Sequence, residues 1–207
     1  MISKIRVPDS AIVRQAEELA RAVSSDTIFN HVMRCYWFAE LFAQAEGTKV
    51  DSEMLFLSSV FHDLGLTAHA PGPQRFEVEG AGAARKFLVD RGVSNDRAQK
   101  VWDNIALHTS DLNLFRDDTS RIVQLGIIHD VVGMPGAQLD AADVAELLRR
   151  YPRLGFTREF YKALENELDR KQPYPHVFHP CTRIAHNRSP LEVADLSALQ
   201  AGAPFDE

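Results

Sequence analysis

The residue types best able to do chemistry meet at Phe61-His62-Asp63-Leu64-Gly65. A neighbouring imidazole and carboxylate leave a helix end roughly 100° apart. Both can therefore reach one cleft while the apolar turn before them, with Met54, Leu55, Leu57 and Phe61, stays buried. Gly65 is expected to let the chain turn sharply once that helix ends. Imidazole and carboxylate together suit Zn²⁺, Mn²⁺ or Fe²⁺. An adjacent His and Asp are common by chance, and it is their context that makes them informative. His31 lies in an apolar run with Met33, Tyr36, Trp37 and Phe38, and Asp130 closes the run Ile122-Val123-Gln124-Leu125-Gly126-Ile127-Ile128-His129. An Asp is rarely buried without a partner or a cation. Separate explanations exist for each: a core hydrogen bond for His31, a loop cap for Asp63, a salt bridge for Asp130. One shared divalent ion accounts for His31, His62, Asp63 and Asp130 together, and that is the expectation.

Other polar residues fall around this set. Arg34, one turn after His31, is expected either to face the cleft and meet a polar or anionic substrate or to pair with an acidic residue. His108 ends a helical run and is expected to bind substrate or donate a proton, or else to complement the helix dipole there. His129 points roughly 100° away from Asp130 on its helix and reads as a support behind the ligands or a neutral core residue, not as a ligand. His69 lies in a loop beyond the His62-Asp63 pair, where solvation is the simplest reading. His176, His179, Cys181 and His186 resemble a zinc spacing, but with a single thiol among prolines they read as an ordinary loop.

Helices must position these residues. Pro8-Asp9-Ser10 caps a first helix, a second spans about 26–45 and stops at Gly47, and a third starts at Asp51-Ser52 and runs to Gly65. Further helices are expected over 78–90, 96–108, 120–132, 141–150 and 158–170. No stretch shows the period-two alternation of a strand. The expected architecture is all-α, a helical domain over 1–170 followed by a loop-rich extension over 171–207 that packs on it. Hydrophobic residues at 45% and charged residues at 25% describe a globular chain. With 23 Lys and Arg against 29 Asp and Glu, the formal charge of −6 argues against a nucleic-acid partner. No apolar run approaches the ~20 residues that cross a bilayer, and no apolar segment follows Met1-Ile2-Ser3-Lys4 as in a signal peptide. Two distant cysteines make no disulfide framework. The expectation is a cytoplasmic monomer or homodimer acting on a small molecule, with neither nucleic acid nor membrane as partner.

In order and approximate spacing, His31, His62-Asp63 and Asp130 resemble the pattern of the HD superfamily of metal-dependent hydrolases, over most of residues 25–133. The resemblance implies an HD-type helical bundle with these four residues as metal ligands and open positions for water and substrate. Many phosphate-acting members place a Lys after the Gly of this motif, where this chain has Leu66. Members with two metals carry a His where Phe76 stands, which implies one ion here: zinc first, with iron, manganese or nickel as alternatives. The runs Asn30–Phe38, His62–Thr67 and Arg75-Phe76-Glu77 are similar to the cyanamide hydratase-like branch, which implies substrate contacts for Thr67 and Phe76 beside Arg34. On this resemblance the protein is a metal-dependent hydrolase or hydratase whose metal-bound hydroxide attacks a small electrophile. Asp63 would serve as proton shuttle, and His108 as the second catalytic candidate. The alternatives are a phosphohydrolase acting on a nucleotide or other phosphate ester, and a non-catalytic helical module that uses a metal only for structure or binds a partner.

Overall fold

Serine and aspartate open most of the helices. In the computed structural model, which describes residues 5–134, 139–170 and 200–205, the side chains of Ser10, Ser25, Asp51, Ser94, Asp117 and Asp140 each accept a backbone N–H from the turn that follows. Each cap satisfies a donor that the helix itself leaves unpaired. The helices are α1 (Ala11–Val23), α2 (Asp26–Glu46), α3 (Ser52–Phe61), α4 (Phe76–Val89), α5 (Asn95–Ala106), α6 (Asp118–Val132), α7 (Ala141–Arg150) and α8 (Phe156–Arg170). Short 3₁₀ turns cover Leu64–Leu66 and Leu112–Phe115. Among the described residues there is no strand, and the fold is all-α.

α2 is the axis of the molecule. From Thr27 to Ala43 every residue except Asn30 is buried, the mark of a helix covered on all sides. α3, α6 and α8 pack on it, with α1 and α7 completing the shell. Its end is set by Gly47, whose φ of 67° is the left-handed conformation that glycine adopts without steric cost. α6 lies very close to it: a Cβ on Gly126 would stand 2.3 Å from the carbonyl oxygen of Cys35. That closeness brings the residues of α6 within reach of His31.

α3 stops at Phe61, short of the expected Gly65. The role of Gly65 also differs from the expectation, because it is not among the glycines with positive φ. Its hydrogen lies against α4, where a Cβ would meet the carbonyl oxygen of Phe76 at 1.8 Å. Close approach, not a left-handed turn, requires the glycine. The last described segment, 200–205, returns to the core, where the Phe205 ring stacks on Phe38 at 5.8 Å and meets His129 edge-on at 5.5 Å. The cluster of His176, His179, Cys181 and His186 lies outside the described residues.

Candidate metal centre

Three elements deliver the polar side chains. His31 comes from the middle of α2, His62 and Asp63 from the turn that ends α3, and Asp130 from the last turn of α6. All four are at most 1% exposed. Hydrogen bonding decides which atoms remain available. His31 Nδ1 lies 2.6 Å from Asp130 Oδ2 and therefore carries a hydrogen. His62 Nδ1 donates to the carbonyl of Ser59 at 2.8 Å. With both Nδ1 atoms protonated, each neutral ring presents a lone pair at Nε2, and the two Nε2 atoms face each other at 3.2 Å. Two facing lone pairs require a cation, either a proton or a metal, between them.

Asp63 completes the arrangement. Its Oδ2 is 3.4 Å from His31 Nε2 and 3.3 Å from His62 Nε2. A triangle of donors with edges of 3.2, 3.3 and 3.4 Å matches one face of a tetrahedron around an ion with bonds of about 2.0–2.1 Å, whose edge is ~3.3 Å. Neither carboxylate oxygen of Asp63 has a hydrogen-bond partner, although both are buried. A bare buried carboxylate costs several kcal/mol, roughly, which a divalent cation would offset. His62, Asp63 and His108 form one buried group able to hold a metal, and His31, Cys35 and His62 form another. The donor set fits a divalent ion.

Electrostatics agree with a site that wants positive charge. Burial opposes charge on His31, but Cys35, Asp130 and Asp63 outweigh it and hold the imidazole well above its ordinary value. Burial would raise Asp63, yet the His62 and His31 rings hold its carboxyl well below the carboxylate range. His108 behaves oppositely: burial and the neighbouring His62 push it down to about 4. Its Nδ1 donates to Ile105 O at 2.6 Å, and its Nε2 lies 3.7 Å from Asp63 Oδ1. It thus stands beside the three converging donors with a free lone pair.

Asp130, the fourth expected ligand, is held by Arg34 and His31. Its Oδ1 accepts from Arg34 Nε at 2.6 Å, and its Oδ2 accepts from Arg34 Nη2 at 2.9 Å as well as from His31. Arg153 donates to its carbonyl at 2.9 Å. Asp130 therefore stands behind His31, on the side of the ring away from the converging donors, and fixes the tautomer and tilt of the imidazole. Arg34 is correspondingly not at the cleft: it is fully buried and also donates to the carbonyls of Tyr151 and Pro152. The pairing with an acidic residue is the half of its expectation that the geometry follows. Thr67 donates to Leu64 O at 2.7 Å and lines a separate groove with Ile28 and Lys162. Phe76 does reach the site, with its ring 5.6 Å from that of His108.

The donors open on a cavity of about 290 Å³ walled by Phe76, Ile127, Ile128, Val131, Phe160 and Leu164, together with Asp63, His108 and Thr109. Among the described residues, no Lys or Arg lines it. Phe156 stacks on His31 at 4.4 Å and closes that flank. His129 accepts the Met134 N–H at Nδ1 and is ringed by Phe38, Phe42 and Phe205, a neutral core residue. His69 is exposed.

Sequence reasoning missed Arg153 and Glu77, buried at 2% and 1% exposure, because nothing in the residue type announces a buried charge. Cys35 was findable: it follows His31 by one turn, and its Sγ lies 3.6 Å from His31 Nδ1. No family model matches the chain, and a search of curated proteins finds no match.

Proposed function

We propose that this protein is a metal-dependent hydrolase or hydratase of a small uncharged molecule, with chemistry similar to that of the cyanamide hydratase-like HD proteins. One observation carries the reading: the face of donors formed by His31, His62 and Asp63 opens on a largely apolar cavity with no Lys or Arg among the described residues that line it. A divalent ion held there would acidify a coordinated water and polarise the group under attack.

The chain's own residues do the rest. Asp130 and the Ser59 carbonyl hold the two imidazoles by their Nδ1 hydrogens, so both Nε2 atoms stay directed inward without reorganisation. His108, with Nδ1 committed to Ile105 O, takes a proton at Nε2 from the attacking water and returns it to the substrate nitrogen. Asp63 Oδ1 is a second acceptor beside it. Phe76 and Phe160 give the cavity apolar walls. A phosphate dianion in the same place would leave its charge unpaired against an apolar wall.

The test compares kcat/KM of the metal-loaded protein for cyanamide and for nucleoside monophosphates. Urea formed from cyanamide, with little phosphate released, is the expected result. Efficient phosphate release with cyanamide untouched replaces this reading by a phosphohydrolase that recruits Arg75, whose Nη2 reaches Thr109 at the cavity mouth.

A further inference from the structure

We propose that α8 is a gate, which pivots at Leu154-Gly155 and rolls into a groove on its flank to open the buried donors to solvent. The proposal rests on the reading that these donors and their cavity are the working site, and it supplies the moving part. His31, His62 and Asp63 are at most 1% exposed, and His108 is 7% exposed. An ion or substrate coming from solvent therefore reaches them only if a wall yields.

Most walls are pinned. Ile127, Ile128 and Val131 belong to α6, which Gly126 holds backbone to backbone against α2. Phe76 opens α4, which is tied to the turn after α3: a Cβ on Gly80 would stand 2.7 Å from the nitrogen of Gly65. The turn at His108 is held through its carbonyl by Gln124 Nε2 at 2.8 Å. Phe160 and Leu164 belong to α8, and this helix has open space beside it. A groove of about 320 Å³ lies between Lys162, Ala163 and Asn166 of α8 and Ile28, Leu66 and Ala68 of the body. The groove-facing and cavity-facing residues stand roughly 100° apart round the helix. Rolling α8 into the groove therefore draws Phe160 and Leu164 off the donors.

The pivot is marked in the backbone. Leu154 has a φ of 55°, alone among the described non-glycine residues in being positive, and Gly155 follows at 70°. A leucine in the left-handed region stores strain, and at 48% exposure its side chain gains little burial in return. Up to this point the chain is anchored. Arg34 donates to the carbonyls of Tyr151 and Pro152 at 3.1 and 3.2 Å, Asn30 donates to Pro152 O at 2.9 Å, and Arg153 donates to Asp130 O. Past it, ring stacking takes over, with Phe156 on His31 at 4.4 Å and Phe160 on Phe156 at 5.1 Å. Phe156, beside the pivot, moves least, whereas Phe160 and Leu164, one and two turns further on, move most.

Two measurements on the full chain test the gate. In the first, zinc entry and release are timed by stopped flow against a chromophoric chelator, with Kd measured separately. Ala163→Leu fills the groove without touching the donors, so α8 must overpack to open. Entry and release should both slow by about tenfold, with Kd unchanged. Leu154→Asn suits the left-handed pivot several-fold better and should slow both by about 3-fold. A change in Kd with unchanged rates, or no change at all in either variant, overturns the proposal. In the second, amide hydrogen exchange is followed in the metal-free protein. Residues 158–164 should exchange through a local opening that depends little on urea, while residues 31–38 wait for global unfolding, and Leu154→Asn should slow the local phase. Exchange of 158–164 only together with 31–38 overturns the gate. If the protein takes up no zinc, the functional reading falls and the exchange measurement alone decides the gate.

Discussion

Asp63 and Asp130 are both buried carboxylates, yet their surroundings assign them opposite tasks. Asp63 has no hydrogen-bond donor and faces two imidazole lone pairs, whereas Asp130 is saturated by Arg34 and His31. Asp63→Asn should therefore abolish tight zinc binding, while Asp130→Asn should weaken it by about 10–100-fold, as expected for a group that orients a ligand. Removing the Asp130 charge also strands Arg34 in the interior, at a cost of about 3–5 kcal/mol. A competition titration with a chromophoric chelator and a urea unfolding curve measure the two effects. Equal loss of zinc in both variants would make Asp130 a direct ligand. At this scale the sequence showed that His31, His62, Asp63 and Asp130 belong together, because buried polar types on apolar helices demand company. It could not show on which side of an imidazole Asp130 would lie, since one turn of α6 decides that. Nor could it choose between the cleft and an acidic partner for Arg34, whose spacing from His31 suits either.

Among the elements, the contact between α2 and α6 sets the distance from His31 to Asp130. Gly126→Ala tests it. Helix propensity alone favours Ala by about 1 kcal/mol. The new Cβ would meet the Cys35 carbonyl at 2.3 Å, and backbone cannot step aside as a side chain does. Overpacking should win, with a net destabilisation of about 1–2 kcal/mol in urea and a weaker metal site. The start of α3 gives a pH test. Burial tends to raise Asp51, but Arg97 and the Met54 N–H outweigh it and hold this carboxyl below its usual range. A depressed folded value means that the stabilisation is present above the unfolded carboxyl pKa, near ~4, and is lost as pH falls through the folded one. Asp51→Asn keeps a capping side chain but removes that titration, so its stability should fall less steeply below about pH 4. The same caps explain why helix starts were readable at Ser10 and Asp51. The end of α3 was not readable, because Gly65 answers to the Phe76 carbonyl of α4, a contact distant in sequence.

For the whole molecule, an ion held by residues of α2 and the α3 turn would tie two parts of the bundle together and would bind only the folded state. At a free concentration a hundredfold above its Kd it adds about 2.7 kcal/mol. Chelation should then lower Tm by about 5–10 °C for a chain of this length, and zinc should restore it. An unchanged Tm on chelation would show that no tightly held ion is present. Calorimetry with and without chelator reads this directly.

The burial of α2 on every side has a consequence for motion. A peripheral helix can open alone, but α2 cannot leave its place without taking α3, α6 and α8 with it. The amide hydrogens of residues 31–38 should therefore exchange with solvent only through global unfolding, among the slowest in the chain. The imidazole of His31 is held by the last part of the protein to open. Rigidity of the centre and cooperativity of unfolding are then one property, and a substitution that loosens either will be seen in both.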